Sequence, residues 1–305
     1  MEIVDVRPLR ALVQVAADGS ISRAARSLGL TQQALSARLR AFERELDVEL
    51  LQRSARGTTL SPQGDLVVVW AREALAGMDR FNAAVGSLRR HSPTDLVVAV
   101  SQTVGAHLLP GWVAALHSRQ IDDGQQPSPV VFVTANSDEV TRKVHDGECA
   151  LGFIESPTIP PELGSRVVRW DTMVVAVGIS HPWARRRAVD LAEVARTPLV
   201  VREQGSGTRA ALDRMLDAAG HVSEPPASVL STEAAVRSAA VAGIGPAVLS
   251  ELSIADDVAL GRLRALELSP QPLRRPIAAV WRGGPRDLHG LARELVEVAA
   301  GAGSA

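Results

Sequence analysis

Apolar side chains recur at helical spacing near the start of the chain. Five of them lie at intervals of four, three, four and four residues: Leu35, Leu39, Phe42, Leu46 and Leu50. This spacing predicts a helix that buries one face. Gly29 suits the left-handed end of a preceding short helix that starts near Ser20, and Thr31 suits the N-cap of the longer helix. The pattern predicts two helices joined by a tight turn.

The outer face of the second predicted helix is polar. Its glutamine, serine and arginine side chains are of the kinds that contact base edges and phosphates. Together with the turn, this face predicts a helix-turn-helix, and an ordinary helical hairpin is the alternative. The predicted DNA-binding residues, including two arginines from the segment that follows, are Ser22, Thr31, Gln32, Gln33, Ser36, Arg38, Arg40, Arg53 and Arg56.

The flanking segments extend this prediction. Apolar positions over residues 9–16 indicate a first helix, and the short polar stretch 52–60 indicates a hairpin, or wing, whose Arg53 and Arg56 would contact phosphates. Ser61 and Pro62 then mark the start of a new helix. It is predicted to reach Arg90 and to be about 43 Å long.

This long helix has a heptad pattern. Its apolar positions are Val67, Ala74, Phe81 and Leu88, with Ala71, Met78 and Val85 offset by four. Such a repeat predicts pairing with the same helix of a second copy, giving a two-fold dimer. Packing of the stripe on its own chain is the alternative.

The rest of the chain alternates between predicted strands and helices. Strands are predicted at 95–100, 130–134, 150–154, 173–177, 198–201, 228–230, 247–249 and 277–281, and helices at 104–116, 137–146, 190–195, 208–218, 232–241 and 288–300. The alternation predicts a parallel α/β sheet in two lobes, with crossovers near 166–171 and 267–272. We expect a DNA-binding domain at 1–61, a linker helix at 62–91 and a regulatory domain at 92–305. Its lobe I would comprise 95–166 and 272–300, and its lobe II 170–268.

A ligand cleft is expected between the two lobes. Ligands of open α/β folds bind beyond the carboxyl ends of strands, and a helix N-terminus favours an anion. Helix caps without any ligand are the alternative. The predicted contacts to a small polar or anionic ligand are Ser101, Gln102, Thr103, Asn136, Gly205, Ser206, Thr208 and Thr232.

Composition and charge narrow the class of protein. At 305 residues and 46% hydrophobic content the chain suits two or three globular domains, and it has no run of 18 apolar residues. A start without a signal-peptide pattern and a single cysteine, Cys149, predict a cytoplasmic protein without a disulfide or a metal site. Residues 1–91 hold 13 arginines and 10 acidic residues, whereas the remainder holds 20 basic and 24 acidic residues. The nucleic-acid surface is therefore expected at the N-terminal end.

Enzymatic motifs are not found. Ser206 lacks the glycine two positions earlier that a nucleophile elbow needs, and there is neither a Walker loop nor a Gly-x-Gly-x-x-Gly run. The seven histidines show no metal-ligand spacing. His107 and His145 are expected at the surface with their hydrogen bonds satisfied, and a position facing the cleft is the alternative. We expect no catalysis and no cofactor. A solute-binding protein and an architectural DNA-binding protein remain as alternatives to a regulator.

The chain resembles the LysR-type transcriptional regulators. The resemblance rests on Ala24-Ala25-x-x-Leu28, Gln32-x-Ala34-Leu35-Ser36, Glu43-x-x-Leu46, and Arg53 followed by Leu60-Ser61-Pro62-x-Gly64. It implies a winged helix-turn-helix, a dimerising linker helix and an effector domain similar to type-2 periplasmic binding proteins, with effector contacts at Ser101, Thr103 and Thr208. It further implies double-stranded DNA, a small effector, RNA polymerase and self-association to a tetramer as partners. Gln33, Phe42, Asp47 and Leu51 depart from the family's usual pattern, and Gln33 bears on the operator sequence.

Overall fold

The computed structural model describes residues 5–54, 57–90 and 96–302, without the side chains of 53–58, 80 and 82–90. The chain divides into two compact units, Met1–Ala83 and Ala84–Ala305. This division differs from the three predicted segments, because the long helix begins in one unit and ends in the other. No helix in the described part is long and apolar enough to cross a membrane.

The first unit contains three helices, a hairpin and the start of the long helix. They are α1 (Val6–Asp18), α2 (Ile21–Ser27), α3 (Gln32–Leu46), β1 (Leu51–Ser54), β2 (Gly57–Leu60) and α4 (Pro62–Arg90). Gly29 has a φ of 66°, and the Thr31 hydroxyl accepts a hydrogen bond from the Ala34 amide at 3.1 Å. The predicted turn and N-cap are therefore confirmed.

The core of the first unit follows the predicted stripe within α3. Leu50 is buried as predicted but lies outside the helix, because Asp47 ends α3 with a left-handed φ of 53°. Leu35, Leu39 and Phe42 are fully buried against Ala24 and Ala25 of α2, whose small side chains let the two helices approach closely. The predicted hairpin is formed by β1 and β2 in antiparallel register. Its first strand is fixed to α3, since Glu43 accepts hydrogen bonds from the backbone amides of Leu50 and Leu51 at 2.9 and 3.0 Å.

Helix α4 has the predicted bounds, but its heptad positions differ in exposure among the side chains that the structure describes. Ala71 is buried together with Val68 and Leu75, while Ala74 and Phe81 are exposed. Over its first turns the helix thus packs partly against its own domain, and pairing of the exposed heptad positions with a second copy stays a prediction. A second set of large apolar side chains is more than half exposed: Leu66, Val69, Trp70 and Phe81.

The second unit consists of ten strands and eight α-helices among the residues described. The strands are β3 (Leu96–Ser101), β4 (Val130–Ala135), β5 (Leu151–Ile154), β6 (Leu163–Gly178), β7 (Ala188–Asp190), β8 (Val200–Arg202), β9 (Ser228–Leu230), β10 (Ala247–Ser250), β11 (Leu263–Ser269) and β12 (Leu273–Arg282). The helices are α5 (Gln102–His107), α6 (Leu109–Asp122), α7 (Ser137–His145), α8 (Leu191–Ala195), α9 (Gly207–Ala218), α10 (Glu233–Val241), α11 (Glu251–Ala259) and α12 (Gly290–Gly301).

The main sheet is mixed, with strand order β4-β3-β5-β12-β6-β11-β7 and β10 paired to β6. β3 is parallel to β4 and β5, whereas β12 is antiparallel to both β5 and β6. The prediction of parallel strands is confirmed for β3, β4 and β5 and for the pairs β7–β11 and β8–β9. It is wrong for the pairing of β12 with β5 and of β6 with β10, β11 and β12, which is antiparallel. Strands buried on both faces have continuous apolar runs in either direction, so the pattern does not reveal their orientation.

The two lobes are joined by β6 and β12, which pair along most of their length. Their register runs from Leu163 opposite Arg282 to Met173 opposite Leu273, with an irregularity at Ile277/Ala278. The predicted crossover at 166–171 lies within β6. The one predicted near 267–272 lies slightly later, within β12, since Leu273 packs in the core of lobe II and Ile277 in that of lobe I.

Several smaller predictions are corrected by the structure. The single helix predicted over 104–116 is two helices that meet at Leu108, because Pro110 at the start of α6 has no amide hydrogen with which to continue α5. Strands β7 and β11 and helix α11 are absent from the prediction.

Each lobe buries an apolar cluster on both faces of the sheet.

Candidate DNA-binding face and ligand cleft

Helix α3 presents most of its predicted DNA-binding residues on one side. Gln32, Gln33 and Arg40 are exposed and Ser36 is half-buried. At 3.6 residues per turn these four lie within about 100° of one another around the helix axis. Arg44 is exposed on the same side and was missed, although the same spacing rule would have found it.

Two other predicted residues connect the helices of the first unit. The Ser22 hydroxyl of α2 donates to Oε1 of Gln32 at 3.0 Å, which fixes the start of α3 against α2. The Thr31 hydroxyl is occupied as the N-cap acceptor. Both lie at the N-terminal end of α3, beside the polar face.

Arg38 does not lie with this group. It is about 140° from Gln33 around α3, and its charge contributes to lowering the pKa of Asp5, after the larger effect of the hydrogen bonds from Arg7. The Arg53 side chain and all of Arg56 lie outside the described residues. Their contacts with phosphates stay predictions.

The centre of the cleft between the lobes is a fully buried arginine, Arg275 of β12. Its Nη1 donates to the Thr208 hydroxyl at 2.9 Å, and its Nη2 donates to the Thr103 hydroxyl at 3.3 Å and lies 3.0 Å from Oε2 of Glu155. Its Nε donates to Oδ2 of Asp171 at 2.8 Å. We call these five residues the Arg275 cluster.

The Arg275 cluster connects both lobes at their crossing strands. Arg275 and Asp171 are direct partners in the β6–β12 register, so their ion pair spans the two strands where they pass between the lobes. Thr103 and Glu155 belong to lobe I, and Thr208 lies in the first turn of α9 of lobe II. Asp171 is held further by the Ser250 hydroxyl, which donates to Oδ1 at 2.7 Å. Any relative movement of the lobes must therefore alter contacts to Arg275.

A second group of contacts surrounds Glu233, the first residue of α10. The Thr103 hydroxyl donates to its Oε2 at 2.6 Å, His107 Nε2 lies 3.2 Å from its Oε1, and its amide donates to Gln102 Oε1 at 2.7 Å. Burial raises the pKa of Glu233, but hydrogen bonds from His107 and Thr103 outweigh burial and hold the pKa below its ordinary value. The same hydrogen bond raises the pKa of His107. His107 thus faces the cleft, and His145 is near the surface beside Asp146.

Two buried polar atoms in the cleft have no hydrogen-bond partner among the described residues: Ser101 Oγ and Glu155 Oε2. Both residues are at least 98% buried, at the carboxyl ends of the adjacent strands β3 and β5. Burial raises the pKa of Glu155, and the charge of Arg275 and the Thr103 hydroxyl only partly offset this rise. Unpaired buried polar atoms are uncommon in folded proteins and call for an explanation.

The loop before α9 contacts the other lobe closely. The Asp138 amide donates to the carbonyl of Gly205 at 3.2 Å, and the Asn136 side chain lies 3.4 Å from Oε1 of Glu203. A Cβ atom at Gly207 would lie 2.1 Å from the backbone oxygen of Glu155. The closed arrangement of the lobes therefore requires glycine at this position.

The remaining predicted contacts are further from the Arg275 cluster or serve as caps. Ser206 is buried at the N-cap position of α9 without a capping hydrogen bond from its side chain. Thr232 is exposed, and its hydroxyl accepts from the Ala235 amide as the cap of α10. In the described parts of the chain, no three His, Cys, Asp or Glu side chains are placed to hold a metal ion.

The charged residues of the cleft were missed by sequence reasoning. Glu155 directly follows β5, as Ser101 ends β3, so the rule about strand ends would have found it. Arg275 and Asp171 lie inside strands and gave no local signal. Their roles depend on the pairing of β12 with β6, which links residues about a hundred positions apart.

Comparison with known proteins identifies the family. Residues 6–65 match the model of the bacterial regulatory helix-turn-helix protein, lysR family, and residues 89–303 match that of the LysR substrate binding domain. The chain belongs to the LysR family. The HTH-type transcriptional regulator Rv2282c of Mycobacterium tuberculosis is 43% identical to this LysR-type regulator over 286 residues, covering 92% of each chain.

Solved structures of LysR regulators share the fold. Full-length CbnR, in complex with its target DNA, matches with a TM-score of 0.53 at 19% identity and covers 97% of this chain and 99% of that one. The regulatory domain of CcmR from Synechocystis, in complex with 2-PG, matches with a TM-score of 0.59 at 19% identity. That match covers 68% of this chain and 96% of CcmR. The chain is thus a transcriptional regulator with an N-terminal helix-turn-helix domain and a two-lobed α/β effector domain.

Proposed function

We propose that this LysR regulator reads its operator with the exposed polar face of α3 and responds to a small polar or anionic effector bound between its lobes. The observation that carries the proposal is the polar cleft, where the buried Ser101 hydroxyl has no hydrogen-bond partner among the described residues and Glu155 contacts Arg275 only as an ion pair. Relatives support each half, since CbnR is described with its target DNA and CcmR with 2-PG.

The effector would act by binding two arrangements of the lobes unequally, since only differential affinity shifts a conformational equilibrium. A change at the cleft would alter the geometry of a homotetramer, the bend of the bound DNA and contact with RNA polymerase. We propose that the protein acts in the cytoplasm, without catalysis and without a cofactor.

A DNA-binding assay tests the first half of the proposal. We expect tight binding to the DNA upstream of its own gene, resistant to scrambled duplex, in fluorescence anisotropy with salt varied. Gln33→Ala should weaken binding to this DNA by about 1–3 kcal/mol, roughly 5- to 150-fold, because Gln33 is exposed on the polar face. Affinity for scrambled duplex should hardly change.

Gln63→Ala is the matched control, since it removes the same type of exposed side chain from α4. Equal losses for Gln33→Ala on specific and scrambled DNA would show that Gln33 does not read sequence. Equal affinity of the wild type for both duplexes would favour an architectural protein.

The exposed apolar side of α4 is proposed as the dimer surface. Trp70 is 61% exposed between Leu66 and Phe81, which are similarly exposed on the same helix. Burial of such a stripe drives association, so Trp70→Arg should lower the molecular mass measured by analytical ultracentrifugation towards that of a smaller assembly. Gln63→Arg adds the same charge at an exposed polar position and should leave the mass unchanged. An unchanged mass for Trp70→Arg would place the dimer surface elsewhere.

A further inference from the structure

The arrangement of charges around Arg275 determines what can enter the cleft. The buried acidic groups facing Glu155 are Asp171 from β6 and Glu233 from α10, and the cationic groups are Arg275 from β12 and, when protonated, His107 from α5. Acidic groups therefore outnumber the one permanent cation. An anion added to this cluster would meet uncompensated negative charge in a poorly hydrated site.

The two carboxylates on Arg275 are not equally fixed. Asp171 accepts hydrogen bonds from both Arg275 and Ser250, and it faces Arg275 in the strand register. Glu155 is paired with Arg275 only as an ion contact of 3.0 Å, and its Oε2 accepts no hydrogen bond of good geometry among the described residues. Glu155 is thus the partner that Arg275 loses more easily.

We propose that a small anion, with a carboxylate or another oxyanion group, replaces Glu155 on Arg275, and that Glu155 takes up one proton as the anion binds. This inference rests on the proposed function, because it concerns the same cleft. The exchange limits the rise in negative charge around Arg275. The ligand places an anionic group against the guanidinium, and a proton taken from solvent removes the charge of Glu155 and so offsets one unit of the charge that the ligand brings.

The local geometry suits this exchange. The hydroxyls of Thr103 and Thr208 already converge on Arg275 from the two lobes, so an anion there would bind groups of both. The Ser101 hydroxyl is buried and free to donate. Glu155 is prepared for protonation, since its pKa is already raised by burial in the absence of a ligand. Above that pKa, affinity for the anion should fall about tenfold per pH unit, because binding and proton uptake are linked.

The test is isothermal titration calorimetry of the full chain with sulfate and, separately, oxalate, at about pH 5.5 and about pH 8. Sulfate and oxalate both keep their charge over this pH range. Any proton taken up on binding therefore goes to the protein and is supplied by the buffer. Titrations in two buffers of different ionisation enthalpy give the number of protons. We expect close to one proton per bound anion at the higher pH and tighter binding at the lower pH. The probe that binds more tightly distinguishes a tetrahedral oxyanion from a planar dicarboxylate.

Variants assign the proton to its residue. Glu155→Gln keeps the shape of the side chain and should bind the anion without proton uptake and more tightly at about pH 8. Glu162→Gln, at an exposed position just before β6, should behave as the wild type. His107→Gln tests the other group of the cleft that titrates in this range. Proton uptake on anion binding should persist in the His107→Gln variant. Uptake that persists in Glu155→Gln and disappears in His107→Gln would overturn the proposal.

The wild-type result is decisive even if Glu155→Gln fails to fold. Anion binding without proton uptake at the higher pH would overturn the exchange. Failure of both sulfate and oxalate to bind would overturn the anion class of the ligand. If the same preparation binds its upstream DNA specifically, such a failure leaves the proposed DNA-binding function standing. Loss of specific DNA binding would instead overturn the proposed function.

Discussion

Arg275→Met should lower the free energy of unfolding of the effector domain by about 3–5 kcal/mol. The substitution keeps much of the apolar volume but leaves Asp171 and Glu155 buried without their cation, and removing one partner of a buried ion pair has a cost of this size. It also removes the donors to the hydroxyls of Thr103 and Thr208. Urea unfolding followed by tryptophan fluorescence measures the effect, since four of the five tryptophans lie beyond residue 91.

Arg274→Met is the matched control for this prediction. Arg274 is the exposed neighbour of Arg275 in β12, and a surface substitution of this kind changes stability by about 0.5 kcal/mol or less. Arg275→Lys should fall between the two, since it keeps the charge but loses the geometry of the guanidinium. Equal stability of Arg275→Met and Arg274→Met would show that the Arg275 cluster does not hold the lobes.

Gly207→Ala should open the cleft while leaving each lobe folded. The added methyl group would lie 2.1 Å from the backbone oxygen of Glu155 and 2.8 Å from the Ser137 hydroxyl. The backbone of Glu155 cannot move out of the way without displacing the structure around it. Within lobe II the change is benign, because residue 207 begins α9 and alanine favours helices. The clash can therefore be relieved only between the lobes. Overpacking of this kind costs about 1–3 kcal/mol.

The Asp138 amide reports on this opening. It lies in the first turn of α7, where amides have no partner within the helix, and its bond to the Gly205 carbonyl comes from the other lobe. A cost of about 1–3 kcal/mol predicts that hydrogen exchange at Asp138 becomes roughly 5- to 150-fold faster in Gly207→Ala. Gly111→Ala is the control, since a Cβ there meets open space. Unchanged exchange at Asp138 would show that the closed cleft is not the resting arrangement.

The sequence predicts the first unit far better than the cleft. In α2 and α3 every signal is local, from the apolar stripe ending at Leu46 to the turn at Gly29 and the cap at Thr31, and each follows from helix geometry. Helix α4 shows where this reasoning stops. Its heptad is real, but the side chains facing its own domain cannot be told from those facing a partner without the tertiary packing, which buries Ala71 and exposes Phe81.

The cleft is only half visible in the sequence. Thr103 and Thr208 are predicted because they begin helices that follow strands, a local pattern. Arg275 and Asp171 become neighbours only because β12 runs antiparallel to β6. The continuous apolar sequence of a buried strand does not predict the direction of that strand in the sheet. The hydroxyls of Thr103 and Thr208, which were expected to meet a ligand, are already bonded to Glu233 and Arg275, so the charged residues of the protein itself occupy the centre of the site.

The central claim is that the state of the cleft controls how the regulator occupies its DNA. DNase I footprinting of the wild type and Gly207→Ala on the DNA upstream of its own gene tests it most directly, at protein concentrations that saturate both. We predict that both proteins protect the site but that the open-cleft variant changes the length of the protected region or the pattern of hypersensitive bonds. Identical footprints, in a variant whose Asp138 amide exchanges faster, would contradict the claim.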